Sequence, residues 1–322
     1  MGRILVTGGA GFIGSHICDK LLDLGHEVIC FDNLMTGSEG NIAHLEGLSG
    51  FTFVEGDIRD PGKLGGAIEG CTHVNHQAAL GSVPRSIKDP LLTNEINVNG
   101  SLSVLVESQK NSIGRFVFAS SSSVYGDNIA MPKKEGDTGM ALSPYAVTKS
   151  AFEDYARVFH SVHGTETIGL RYFNVFGPRQ SPDGPYAAVI PLFMQSIIEG
   201  RSPNIFGNGE QTRDFTYVEN VVEANMLALF SDAPEAYGGV FNVASGRTIS
   251  INSLFEMIQE SMSDCLGKGI SIIPNYAPPR DGDIKDSLAD LSSVGRSLGY
   301  SPKKWPEEGI SETVRWFVES SR

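Results

Sequence analysis

Tyr145 and Lys149 stand four residues apart in Ser143-Pro144-Tyr145-Ala146-Val147-Thr148-Lys149. On a helix that spacing puts a phenol and an ammonium on one face, one turn apart. A phenol titrates near ~10 and is a poor base at neutral pH. A cation held beside it favours the phenolate and lowers that value. The pair is therefore a candidate general base for drawing a proton from an alcohol. The same spacing also arises on solvated amphipathic helices, so its meaning depends on what the rest of the chain places around it.

A second group of residues points to a nucleotide. Thr7-Gly8-Gly9-Ala10-Gly11-Phe12-Ile13-Gly14 follows an apolar run and precedes a helix-like segment. Without side chains, Gly8, Gly11 and Gly14 permit a tight turn, bring backbone close to a pyrophosphate and let helix and strand pack. The helix start then offers unpaired N–H groups to phosphate. Asp32 ends a second apolar run in Cys30-Phe31-Asp32-Asn33. A carboxylate there accepts hydrogen bonds from ribose hydroxyls and repels a 2′-phosphate, which favours NAD over NADP. Asp57-Ile58, after a third run, is a candidate adenine-edge contact, and Asp57 could equally cap a strand end.

The elements that must position these groups alternate along the first half. Apolar runs at 4–7, 27–31, 51–55, 73–75, 115–119 and 166–171 read as strands, and 15–24, 98–109 and a segment starting near Tyr145 as helices. Such alternation predicts an α/β fold: a Rossmann-type doubly wound parallel sheet with a smaller α/β substrate-binding lobe. Residues 1–175 are assigned to the nucleotide-binding domain, to which a segment at about 212–232 returns, and residues 176–322 to the smaller lobe. In that lobe 214–230 and 251–261 read as helices, 239–244 and 270–273 as strands, and 277–283 as a Pro-rich loop.

Composition bounds the function. The 322 residues carry a formal charge of −13, with 40% hydrophobic side chains. That balance argues against a nucleic-acid or anionic-membrane surface, which needs positive potential. Cys18, Cys30, Cys71 and Cys265 are scattered without metal-ligand spacing and read as reduced thiols, so no metal site is expected. No apolar run approaches the roughly 20 residues of a membrane span. With Arg3-Ile4-Leu5-Val6 reading as a strand and not a leader, the expected location is cytoplasmic.

Taken together, the chain resembles the nucleotide-sugar epimerases of the extended short-chain dehydrogenase/reductase family, nearly end to end. The resemblance runs through the glycine loop, His76-Gln77-Ala78-Ala79, Ser120-Ser121-Ser122-Ser123-Val124-Tyr125-Gly126, Tyr145-Ala146-Val147-Thr148-Lys149, Arg171-Tyr172-Phe173-Asn174-Val175 and Arg213-Asp214-Phe215. Ala79-Leu80-Gly81-Ser82-Val83-Pro84-Arg85-Ser86 and Tyr186-Ala187-Ala188-Val189-Ile190-Pro191 look most like the epimerases of N-acetylated UDP-sugars. The resemblance implies Tyr145 as catalytic base, Lys149 as ribose contact and modulator of the phenol, and Ser121 as the hydroxyl partner, counted back from Tyr125. Ser120, Ser122 and Ser123 leave that choice open, with Ser122 and Ser123 as sugar contacts. It also implies NAD contacts at Gly8, Gly11, Phe12, Ile13, Gly14, Asp32, Asn33, Gly37, Asp57, Ile58, Gln77, Ala78, Ala79, Asn97 and Tyr172.

For a UDP-sugar, the resemblance assigns Arg213 and Arg280 to the diphosphate, Asn174 to diphosphate or sugar, Asp283 to the uridine ribose, and Ala188 and Val189 to the uracil segment. Ser82 and Arg85 belong to the same substrate set. Ser287 falls at the position facing the C2 substituent, where a small residue leaves room for an N-acetyl group. Related 4,6-dehydratases carry Asp-Glu where Ser122-Ser123 stand, and related decarboxylases a Glu at 123. Two hydroxyls there leave reversible oxidation at C4, hence 4-epimerisation of UDP-GlcNAc and UDP-GalNAc, with UDP-Glc and UDP-Gal as further substrates. A UDP-glucose or UDP-glucuronate epimerase, the latter with Arg85 on the C6 carboxylate, is the alternative. A catalytically silent NAD-sensing or RNA-associated member is the alternative of another class. A homodimer through the helix at 98–109 and the helix starting at Tyr145 is also implied.

Overall fold

Apolar runs of five to seven residues become strands buried on both faces, as a parallel sheet requires. The structure, a computed structural model, describes residues 2–182, 187–279 and 286–320. The first half runs β1 (Arg3–Thr7), α1 (Phe12–Asp23), β2 (Glu27–Asp32), β3 (Phe51–Glu55), α2 (Pro61–Ile68), β4 (His73–His76), α3 (Val83–Lys88), α4 (Pro90–Asn94), a π-helical turn (Glu95–Gly100), α5 (Ser101–Lys110), β5 (Arg115–Ser121), α6 (Pro144–His163) and β6 (Glu166–Tyr172). The second half runs β7 (Val175–Phe176), α7 (Val189–Ile198), β8 (Asn204–Phe206), β9 (Thr212–Arg213), β10 (Thr216–Tyr217), α8 (Val218–Leu229), β11 (Val240–Val243), β12 (Ile249–Ser250), α9 (Ile251–Leu266), β13 (Asn275–Ala277), α10 (Ser292–Leu298) and α11 (Pro306–Ser320).

The central sheet has the order β11-β6-β5-β4-β1-β2-β3, every neighbouring pair parallel. Strand order reverses between β1 and β4, which opens a crevice at their C-terminal ends. Thr7 lies opposite Phe31 on one side and His76 on the other. The glycine loop, Asp32 and Gln77 therefore rise from one edge. Leu64, Val104 and Phe152, from α2, α5 and α6, pack with Phe116 and Phe118 on one face. On the other, α1 and α8 share a core that runs on into α7, α9 and α11. The smaller lobe is thus continuous with one face of the nucleotide half.

Two results depart from the expected layout. β11 lies beyond residue 175, yet it is the seventh strand of the main sheet, paired to β6 from Val240–Gly169 to Val243–Tyr172. Residues 270–273 are not a strand. The Ile270 N–H donates to Ser263 Oγ at 3.1 Å and the Ile272 N–H to Gln259 Oε1 at 2.6 Å, so side chains of α9 take the donors a ladder would need. Pairing starts later, where β13 runs parallel to β8. Among the described residues no helix is long and apolar enough to cross a membrane.

Candidate active site

The cofactor end of the crevice is shaped by close backbone approach. Gly8 has φ +68°, and a Cβ there would sit 2.6 Å from the Ala78 nitrogen. A Cβ on Gly14 would lie 2.1 Å from the Gly8 carbonyl oxygen. Gly11 is the N-cap of α1 and brings no capping side chain, so the N–H groups of Phe12 and Ile13 are left for a ligand. Asp32 accepts from the Ala10 N–H at 3.0 Å and the Leu34 N–H at 2.8 Å. Burial pushes its carboxyl up, and these donors pull it back. A Cβ on Gly37 would crowd both carboxylate oxygens at 3.0 Å, which explains a glycine at that point. Gly8, Phe12, Ile13, Asp32, Asn33, Ile58, Gln77, Ala78 and Ala79 line one continuous cleft that ends at Tyr145, Lys149 and Tyr172. A glycine cradle, a helix N-terminus and a buried ribose acid fit a dinucleotide.

Asp57 lines the cleft, but its carboxylate is already engaged. Arg59 Nη2 and Nε donate to it at 2.7 and 2.9 Å, and Asn33 Nδ2 at 2.9 Å. The guanidinium holds Asp57 well below the usual carboxylate range. Asn33, Asp57 and Arg59 form a rim, and the sequence reading missed Arg59 although it stands two residues downstream.

At the other end, Ser143 caps α6 by accepting from the Ala146 N–H at 3.1 Å, with Pro144 in the first turn. Lys149 is buried and donates from Nζ to the Ala119 carbonyl at 2.7 Å. Its nitrogen is 5.9 Å from the centre of the Tyr145 ring. Burial pushes the Tyr145 phenol up, and the Ser121 hydroxyl beside it acts in the opposite direction.

Three of the four consecutive serines take distinct places. Ser120 Oγ donates to Glu153 Oε1 and is buried. Ser121 Oγ lies beside Tyr145 and accepts from the Ser123 N–H at 3.1 Å. Ser123 Oγ is buried with no hydrogen-bond partner among the described residues.

Behind the cleft lies a buried amide network. The Tyr172 hydroxyl donates to Gln77 Oε1 at 3.1 Å and accepts from Asn225 Nδ2 at 2.8 Å. Gln77 Nε2 donates to Asn75 Oδ1 at 2.7 Å, and Asn75 Nδ2 to Asn225 Oδ1 at 2.9 Å. Asn75 and Asn225 were not anticipated, because β4 and α8 meet only in the fold. Asn97, buried on the π-helical turn, bonds to the protein through both side-chain atoms. Its Oδ1 accepts from the Leu80 N–H at 2.7 Å, and its Nδ2 donates to Leu80 O and Thr148 Oγ1, both at 3.2 Å. It braces the cleft wall against α6.

The expected substrate residues are only partly gathered. Arg85 lines the cleft, on a helix whose N-cap is Ser82, so that hydroxyl is used in accepting the Arg85 N–H at 3.2 Å. Ser86 Oγ accepts from the Tyr145 N–H at 3.1 Å and locks α3 to α6. Asn174, at φ +33°, donates to the Asp214 carbonyl at 3.0 Å, a structural bond that leaves its oxygen available. Arg213 donates to the Thr212 carbonyl at 2.9 Å, and the buried Ser287 donates its N–H to that same carbonyl at 3.2 Å, which brings positions 213 and 287 together. Ala188 is the N-cap and Val189 the first residue of α7. Arg280 and Asp283 lie outside the described residues.

With this geometry in place, the chain can be compared with known proteins. Residues 4–244 match the NAD dependent epimerase/dehydratase family. A UDP-N-acetylglucosamine 4-epimerase from Methanobrevibacter ruminantium M1, solved with UDP-N-acetylmuramic acid, is 43% identical at a TM-score of 0.91 over 99% of each chain. A UDP-glucose 4-epimerase from Thermotoga maritima, solved with UDP-glucose, is 37% identical at 0.91 over 99% of this chain and 100% of that one. A UDP-glucuronic acid 4-epimerase from Bacillus cereus, solved with UDP-glucuronic acid and NAD, is 31% identical at 0.89 over 99% of each.

Proposed function

This chain belongs to the NAD dependent epimerase/dehydratase family, and from that premise we propose that it is a UDP-sugar 4-epimerase interconverting UDP-GlcNAc and UDP-GalNAc. The observation that carries the reaction is the Ser121 hydroxyl beside the Tyr145 phenol, with Lys149 on the same helix face and hydroxyls, not acids, at 122 and 123. Gly8, Gly11 and Gly14 with the start of α1 hold the pyrophosphate, Asp32 the ribose, and Tyr172 and Gln77 the nicotinamide end. NAD held there would supply the hydride acceptor for sugar C4 and the donor for return of hydride to the opposite face. Tyr145 removes the C4 hydroxyl proton through Ser121 and gives it back, which is typically worth ~10²–10⁴-fold. The 4-keto sugar turns between the two events, and the pyrophosphate of UDP anchors it through Arg213 and Arg280.

For the sugar, support comes from Ser287, a small buried residue beside Thr212 and Arg213. Purified protein incubated separately with UDP-GlcNAc, UDP-Glc and UDP-GlcA, and resolved for C4 epimers, tests the reading. Turnover of UDP-GlcA alone would transfer the assignment to a uronate enzyme with Arg85 on the carboxylate; turnover of none would end it. Ser287→Tyr should abolish N-acetyl turnover before plain hexose turnover, and an unchanged ratio would remove Ser287 from the argument.

The same reading includes a homodimer through α5 and α6. Its support is an exposed apolar stripe on α6, with Val147 54%, Tyr155 40%, Val158 52% and Val162 67% accessible. Free thiols at Cys18, Cys30 and Cys71, all buried, support a reducing, cytoplasmic setting.

A further inference from the structure

Glu153 continues the face of α6 that carries Tyr145 and Lys149, one turn beyond the lysine, so the three side chains form a column along the helix. A carboxylate in that position is costly to bury unless it is fully paired. Here it is. Arg171 of β6 donates to Glu153 through Nε at 2.9 Å and Nη2 at 2.7 Å, and Ser120 of β5 donates its hydroxyl to Oε1. Arg171 is itself held by the Glu135 carbonyl at 2.9 Å and lies over the Tyr125 ring at 5.0 Å. Ser120 follows Ala119, whose carbonyl receives the lysine. Glu153 and Lys149 are thus tied to adjacent residues of one strand.

We propose that Glu153 is a positioning residue for the reaction: clamped by Arg171 and Ser120, it supplies the buried counter-charge against which the Lys149 ammonium is held. The proposal rests on the epimerase reading for its consequence in turnover, but not for the charge interaction. Tyr145 and Glu153 share the helix face of Lys149, its charge acts on His76 of β4, Tyr172 of β6 lines the same cleft, and Arg171 lies beyond Glu153, bonded to it. His76 is neutral, brought down to about 3 by burial and by the lysine's charge. Burial pushes the Tyr172 phenol up, so it too is neutral. Burial draws Lys149 down to about 8, and Glu153 is the group that opposes this. Without that carboxylate, burial and the uncompensated Arg171 both act against the ammonium. The positive charge that holds the ribose and favours the phenolate would then be lost near neutral pH.

The test is the pH dependence of Lys149 acetylation by acetic anhydride, followed by mass spectrometry of the whole protein, in wild type and Glu153→Gln. The titration midpoint of Lys149 should fall by about one unit or more, and the alkaline limb of kcat should move down with it. An unmoved midpoint, or a kcat lowered equally at every pH, would overturn the proposal and leave Glu153 a packing residue. If Glu153→Gln does not fold, Ser120→Ala decides. Removing one donor from Glu153 should move the midpoint a smaller distance upward, and no movement again overturns the proposal. A shifted midpoint in a protein that inverts none of the three sugars would sink the epimerase reading while leaving the role of Glu153 intact.

Discussion

Around the Tyr145 phenol stand the hydroxyl of Ser121, which opposes the upward push of burial, and the ammonium of Lys149, 5.9 Å from the ring centre. Tyr145→Phe should therefore lower kcat by ~10²–10⁴-fold, with thermal stability and bound NAD content unchanged; near-normal turnover would exclude Tyr145 as the base. His76 makes a separate prediction. It is buried between Thr7 Oγ1 at 2.6 Å and Ser101 Oγ at 2.8 Å and held neutral, its pKa lowered from 6.5 to about 3. Between those values the unfolded chain binds a proton that the fold refuses, so stability should fall as pH drops from 6.5 toward 3. Thermal melts across that range should show the loss, and His76→Gln should flatten it. Tyr145, Lys149 and the glycines were legible in the sequence because their roles follow from local spacing. The choice among Ser120 to Ser123 was not legible. Consecutive residues on a strand point to opposite faces, and only the packing of α6 shows that Ser120 is turned to Glu153.

At the scale of elements, the glycine loop and the strand–helix alternation were readable because backbone geometry dictates the residue types. Gly14→Ala would drive a Cβ to 2.1 Å from the Gly8 oxygen, and the displaced α1 should lose NAD affinity, measurable by calorimetry; unchanged affinity would show that the turn can relax. The π-helical turn was not readable. Asn97 lies within it and ties the Leu80 backbone to Thr148, one residue before Lys149. Asn97→Ala should cost ~1–3 kcal/mol in denaturant unfolding and accelerate amide exchange at Leu80. Residues 270–273 were misread for the same physical reason. Their apolar texture suits a strand, but Ser263 and Gln259, far enough back to be invisible to a local pattern, take the backbone donors.

For the whole molecule, the apolar stripe on α6 places the proposed dimer contact on the outer side of the helix whose inner side carries Tyr145 and Lys149. Val158→Glu combined with Val162→Glu should convert a dimer to a monomer in sedimentation velocity, and a monomeric wild type would remove the proposal. Division of the chain at 175 looked natural in sequence, since the regular alternation stops there. What the pattern could not convey is the return of α8 and β11, whose partners lie far upstream. That return bears on biosynthesis. Until Val240–Val243 leaves the ribosome, β6 has no neighbour on its outer side, and a nascent nucleotide half displays an open hydrogen-bonding edge to every other chain around it. Expressed alone, residues 1–175 should therefore self-associate through that edge, whereas a fragment extended through 244 carries its own seal.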